Sequence, residues 1–266
     1  MSTNVPTPSL GIMKKQQGER KFQLSRHAPS EDLAFFIRHY WLVSWDLTGQ
    51  APYTQHVIPN PCVNLVVEPG KSAIYGPGRE KFGQYLEGKG WVFGVKFKPG
   101  GFYPFVKQPV STVLERPIGI DEVFPFDVRE LEREIWAATD TEAQIAIVEQ
   151  MIREKLPAKD DQVALVNEMV ERIGEDHEIT KVEMLCERYG IHIRSLQRLF
   201  DQYVGVSPKW AIRIARIQHA AETVDLSRAH DWSKLSMDLG YHDQAHFIKD
   251  FKSIVGQTPE AYAKKD

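Results

Sequence analysis

The chain has 266 residues, 33 Lys+Arg against 36 Asp+Glu, and a formal net charge of −3. At about 150 residues per domain, that is room for one to two domains. Its 42% apolar content excludes wholesale disorder, and no apolar run approaches the ~18 residues of a membrane span. Two cysteines, Cys62 and Cys186, exclude a disulfide framework and a four-thiolate zinc site. The near-neutral balance gives no global sign of nucleic acid, so any such reading must come from local pattern.

Met1 to Arg20 is polar and proline-bearing, with no apolar core of a secretory signal. Residues 1–20 are expected to form a disordered tail, and the protein is expected to be cytoplasmic. From Arg38 to Lys98 the chain is rich in Val, Tyr, Trp and Phe, cut at short intervals by Gly and Pro. Trp91, Phe93, Val95 and Phe97 alternate with Val92, Gly94 and Lys96, a period of two. Turn clusters such as Glu68-Pro-Gly-Lys71, Gly76-Pro-Gly78 and Glu87-Gly-Lys-Gly90 stand between the runs. This pattern predicts a compact antiparallel barrel or sandwich.

After Pro99-Gly-Gly101 the character changes. Asp127 to Ala138 and Thr141 to Leu156 read as helices, the second with Ile145, Val148, Ile152 and Leu156 at helical spacing. Pro157 to Asp161 breaks that pattern and suits a new helix start. The boundary is placed there: a mostly-β half with a helical end over 21–156, and an all-α half over 157–266.

The helical half contains an internal repeat. Leu196-Gln-Arg-Leu-Phe200 aligns with Phe247-Ile-Lys-Asp-Phe251, and Gly205-Val-Ser-Pro208 with Gly256-Gln-Thr-Pro259, both at an offset of 51 residues. Upstream, Leu185 and Gly190 match Leu235 and Gly240 at an offset of 50. Each copy spells a helix-turn-helix. In the first, Val182 to Tyr189 is a helix, Gly190 takes the bend that favours glycine, and His192 to Val204 is the second helix. Gly205 suits its C-terminal end, while Ser207 caps and Pro208 opens the next helix. The second copy repeats this with Trp232 to Leu239, a turn at Gly240, Asp243 to Val255, Gly256 and Thr258-Pro259. Pro208 to Val224 reads as one joining helix.

Local charge supports contact with phosphate. Arg188 to Arg216 holds six basic residues and one acid, Asp201. The acids cluster at Asp160 to Glu183 and would have to face away from the nucleic acid.

With both copies in view, Ser195-Leu-Gln-Arg-Leu-Phe200 and the run from Asp243 to Pro259 closely resemble the AraC/XylS family of bacterial transcription regulators. The resemblance covers about Val163 to Lys265. It implies sequence-specific binding to double-stranded promoter DNA and contact with RNA polymerase, with activation favoured over repression. Carried over by position, the recognition residues are Arg194, Gln197 and Arg198 in the first unit. In the second they are Gln244, Ala245, His246 and Lys249. Arg pairs with guanine and Gln with adenine, so the first set suits base edges; Ala245 offers only apolar contact. Arg213 and Arg216 are expected at phosphates.

The first half resembles the cupin-like barrel common at the N-terminus of these regulators, which binds an effector, dimerises, or does both. The fold class is thus α+β, a cupin-like barrel with helices followed by an all-α double helix-turn-helix domain. Trp41, Trp45, Tyr53, Trp91, Phe93 and Phe97 either line a pocket for a small-molecule effector or fill the barrel. His27, His39 and His56 are too widely spaced for a compact metal motif, so neither metal nor cofactor is expected. No arrangement of catalytic residues is evident, and the protein is read as a regulator and not an enzyme. A cupin-like metal-dependent enzyme carrying a DNA-binding domain is the alternative.

Overall fold

The structure, a computed structural model, describes residues 11–113, 115–226 and 231–264. A short helix α1 (Lys15–Gly18) leads into strands β1 (Gln23–His27), β2 (Ile37–Asp46), β3 (Tyr53–Val57), β4 (Asn64–Val67), β5 (Ala73–Tyr75), β6 (Phe82–Leu86) and β7 (Lys89–Phe97). Five of them form one sheet in the order β1-β2-β7-β4-β5, and β3 and β6 pair as a second sheet. Every pairing is antiparallel.

The expected barrel or sandwich takes the form of two separate antiparallel sheets and does not close on itself. Strands β1 and β5 are the outer strands of an open sheet, with Ile74 of β5 bridged to Ile118, and the β3–β6 pair lies apart from its hydrogen-bonded ladder. Alternation along a strand reports which faces are buried, but closure depends on which strands become neighbours. A correction concerns the N-terminal segment. Residues 1–10 lie outside the described residues, but Gly11 to Arg20 is packed. Ile12 bridges Val57, Met13 is buried against the C-terminal helices, and the Gly11 carbonyl accepts from Ile58 N at 2.7 Å.

One face of the large sheet is apolar throughout. Tyr40, Leu65, Val67, Phe93, Val95 and Phe97 point into a core completed by helices. These are α2 (Tyr103–Val106), α3 (Val110–Val113), α4 (Val128–Ala137) and α5 (Thr141–Arg153). Helices α4 and α5 begin where Asp127 and Asp140 accept hydrogen bonds from Glu130 N and Ala143 N. Glu149 is buried in that core yet satisfied by Ser30, Tyr40 and Arg153. Burial pushes its carboxyl up, but the bonds from Ser30 and Arg153 outweigh it and hold the group below the usual range.

The remaining helices are α6 (Asp161–Glu175), α7 (Val182–Tyr189), α8 (Ile193–Leu199), α9 (Pro208–Leu226), α10 (Trp232–Asp238), α11 (Gln244–Val255) and α12 (Pro259–Ala263). Helix α8 runs on into a π-helical turn, Phe200–Val204. Two cores serve this half. Val166, Met169, Leu185, Leu196, Phe200 and Ile212 belong to the first. Ile214, Ile217, Leu239, Phe247, Phe251 and Tyr262 belong to the second. No helix among the described residues is long and apolar enough to cross a membrane.

Candidate nucleic-acid interface

The two helix-turn-helix units share local chemistry as well as sequence. In each turn the glycine has a positive φ, 58° at Gly190 and 71° at Gly240. The next amide then reaches back to the preceding helix: Ile191 N to Cys186 O at 3.0 Å, and Tyr241 N to Ser236 O at 2.9 Å. Cys186 and Ser236 occupy equivalent positions, and both are small where the turn folds onto the helix. Both second helices are capped by a side chain. His192 Nδ1 accepts from Arg194 N at 3.2 Å, and Asp243 Oδ1 from His246 N at 2.7 Å.

The caps decide which residues are presented. Leu196 and Phe200 are fully buried, as are Phe247 and Phe251. On the opposite surface Arg194, Gln197 and Arg198 are exposed on α8, and Gln244, Ala245, His246 and Lys249 on α11. The His246 ring also meets the Tyr241 ring edge-on at 5.3 Å. All seven expected recognition residues thus lie on the solvent side of their helices.

The basic run of the first unit divides into two kinds of residue. Arg194, Arg198 and Lys209 are exposed and make no ion pair among the described residues. Arg188 instead bonds Asp176 at 2.6 Å, holding that carboxyl below its usual range. Arg213 and Arg216, expected at phosphates, both make contacts within the protein. Arg213 Nε donates to Asp250 Oδ1 and its Nη2 to Ser253 Oγ, both at 2.6 Å. The Arg216 guanidinium lies 3.7 Å from the centre of the Tyr241 ring, and the Tyr241 hydroxyl donates to Asp250 Oδ2 at 2.7 Å. Burial, with Asp250 beside it, raises the Tyr241 pKa. This Arg–Asp–Tyr–Arg group fastens α11 to the joining helix. Asp250 lies 37 residues from Arg213 in sequence, so no local pattern announces the pair.

The aromatic residues proposed for an effector pocket do not line one space. Leu42 pairs with Phe93, and Trp41 with Gly94, across β2 and β7. Trp91, Phe93 and Phe97 therefore belong with the helix-covered core, and Trp91 stacks on Trp136 at 5.8 Å. Trp41 and Trp45 are on the other face, and Trp45 packs with Tyr53 of the small sheet. Among the described residues no group of three or more His, Cys, Asp or Glu could hold a metal ion.

Comparison with known proteins matches each half separately. Residues 25–118 match a domain of unknown function (DUF6597), and residues 185–265 match a helix-turn-helix domain. An uncharacterised HTH-type transcriptional regulator of Haemophilus influenzae is 30% identical over 83 residues, covering 31% of this chain and 28% of that protein. The F1 operon positive regulatory protein of Yersinia pestis is 33% identical over 99 residues, covering 36% of this chain and 33% of that protein. The chain thus spans a third or less of these curated relatives. Among solved structures, ToxT from Vibrio cholerae superposes with a TM-score of 0.38 at 11% identity, over 91% of this chain and 98% of that one. ToxT with a bound unsaturated fatty acid superposes at 0.36 and 12% identity, over 91% and 95% of the two chains. With its duplicated turn, its paired caps and the match over residues 185–265, the C-terminal region of this chain is a helix-turn-helix domain, similar over part of its length to those of the two regulators named above.

Proposed function

We propose that this protein binds promoter DNA sequence-specifically through α8 and α11 and regulates transcription, acting as an activator that recruits RNA polymerase. One observation carries the reading. Seven residues with base- or phosphate-contacting chemistry are exposed on two capped helices, and both helices are tied to one joining helix. Helix α9 has 19 residues, which at ~1.5 Å each gives roughly 28 Å. With a unit at either end, the ~34–36 Å between successive major grooves is within reach.

The side chains suggest unequal work. Arg194, Gln197 and Arg198 suit bidentate contacts to guanine and adenine edges. Ala245 can meet only an apolar surface such as a thymine methyl, and Lys249 suits a phosphate. The first unit therefore reads bases more strictly than the second. The Yersinia pestis relative is a positive regulatory protein, which supports activation. The N-terminal half then senses a small molecule, dimerises, or does both.

The test is selection of genomic fragments by the intact protein, followed by titration of the selected site at fixed salt. Arg198→Ala should weaken that site by about 1–3 kcal/mol and leave non-specific DNA little affected. Unchanged affinity would remove Arg198 from the contact surface. Failure to enrich any sequence would overturn the assignment as a whole.

A further inference from the structure

The large sheet has a second face, turned away from the helix-covered core. Strand register places Tyr75, Asn64, Lys96 and His39 in one row across β5, β4, β7 and β2. The next row on that face holds Val66, Gly94, Trp41 and Arg26. Any side chain at Gly94 would run into the Trp41 indole, so that ring sits against the β7 backbone at this row. Beyond it, Leu24, Val43 and Trp45 pack with Leu86 and Tyr53 of the small sheet. The face is therefore cationic at one end and apolar at the other.

Lys96 is the anomaly. It is only 6% exposed, yet among the described residues its ammonium donates no hydrogen bond and pairs with no carboxylate. The side chain is buried along most of its length but its nitrogen is not fully enclosed, so the unpaired ammonium is open to a counter-charge from solution. Its charged neighbours, Arg26 and Arg38, are themselves cations. Burial chiefly, opposed by the nearby Cys62 thiol and helped by those arginines, pushes Lys96 down to about 8, which leaves it charged at pH 7. Burial with the same cations pushes His39 down to about 3.

We propose that the Lys96 row, floored by Trp41, is a binding site for a small organic anion, with Lys96 pairing the anionic head and Trp41 supporting a flat apolar body. The proposal gives the sensing half of the regulator proposed above its ligand class, and rests on that reading only for its effect on DNA. Asn64 Nδ2 is directed to Cys62 O at 3.4 Å, which leaves its side-chain oxygen for a donor on the ligand. Carboxylates and phosphate esters share the required chemistry.

The experiment uses the full chain without DNA, titrated with benzoate, phenyl phosphate and the neutral analogue benzamide. Binding is read by tryptophan fluorescence and thermal shift. At least one anion should bind and raise Tm, benzamide should bind at least tenfold more weakly, and Lys96→Met should lose tenfold or more in anion affinity. Whichever anion binds tighter identifies the head group. Without any probe, Lys96→Met should keep or raise Tm, because it removes a charge that has no partner within the protein and keeps the volume. A lower Tm in the free variant would make Lys96 structural and overturn the proposal. So would absence of anion binding to the parent chain, equal binding of benzamide, or unchanged affinity in Lys96→Met. A separate titration on selected DNA completes the test: an anion that binds but leaves DNA affinity unchanged defeats the sensor reading and leaves the site standing.

Discussion

Arg213 and Arg216 show how a count of charges can mislead at the scale of one residue. Both stand in a basic run, and both are used inside the protein. Arg213→Ala would leave Asp250 without its charged partner beside the Tyr241 hydroxyl. Because Arg213 is 35% exposed, solvent screening keeps the cost to about 1–2 kcal/mol. The expected outcome is a lower midpoint in urea unfolding with an unchanged salt slope of DNA binding. A slope reduced by about one unit would return Arg213 to the phosphate contacts. His39 gives the corresponding pH prediction. Burial first, then the Lys96, Arg26 and Arg38 charges, holds its folded pKa at about 3, against an ordinary 6.5. Between those values the unfolded chain binds the extra proton, so this group's contribution to stability falls as pH falls from about 6.5 toward 3. Comparing the pH dependence of unfolding for His39→Gln and the parent chain isolates it, and the variant should lose that part of the acid sensitivity. Identical slopes would show that His39 titrates normally.

Among the elements, the helices were legible and the sheet was legible only in part. The repeat announced both turns because glycine and the caps act over a few neighbouring residues: Gly190, Ser207, Gly240 and Thr258 do in the fold what their spacing implied. The Trp91 to Phe97 alternation likewise marked the face of β7 that joins the helix-covered core, although Val92, Gly94 and Lys96 on its other face are buried as well. Closure was not legible, because it depends on β1 and β5 remaining edges, a relation between distant segments. Nor was the packing of Met13, whose partners Ile214 and Ile217 come some 200 residues later in the sequence. At the candidate interface the exposed face of each helix followed from period, while the Arg213–Asp250 and Arg216–Tyr241 contacts depended on the docking of α11 against α9. The cap of α11 offers a test at this scale. Asp243→Ala removes the acceptor for His246 N, and N-cap losses cost about 1 kcal/mol. Amide exchange should speed up over the first turn of α11, where Gln244, Ala245 and His246 sit, and affinity for the selected DNA should fall with it. Unaltered exchange there would mean that α11 is held by its apolar face alone.

Over the whole molecule, the repeat places the two halves in contact at equivalent points. Gly205 and Gly256 follow the two second helices at the same repeat position, with φ of 85° and 87°. A Cβ at Gly205 would lie 2.8 Å from Val110 Cγ1, and one at Gly256 would lie 2.6 Å from Lys81 Nζ, so the N-terminal half approaches both. At the first copy Gln202 Nε2 donates to the Tyr103 hydroxyl at 2.6 Å, and the Tyr103 and Tyr203 rings lie 4.3 Å apart. At the second copy Lys81 Nζ donates to Val255 O at 3.1 Å, at the last carbonyl of α11, where a cation also suits the helix dipole. A second tie runs from Gln218 Nε2 on α9 to Pro59 O at 2.8 Å. With both ends held from one side, the separation of α8 and α11 is expected to depend on the N-terminal half as well as on α9. Spin labels at Gln197→Cys and Gln244→Cys, with Cys186→Ser to remove the half-exposed thiol, would report that separation. Lys81→Ala should broaden the distance distribution, whereas Lys71→Ala, whose ion partner is the nearby Glu68, should not. Binding to the selected DNA should then narrow the Lys81→Ala distribution toward ~34–36 Å, the spacing of successive major grooves. Equal widths in the parent chain and Lys81→Ala would mean that α9 alone sets the spacing, and that the contact at Gly256 plays no part in it.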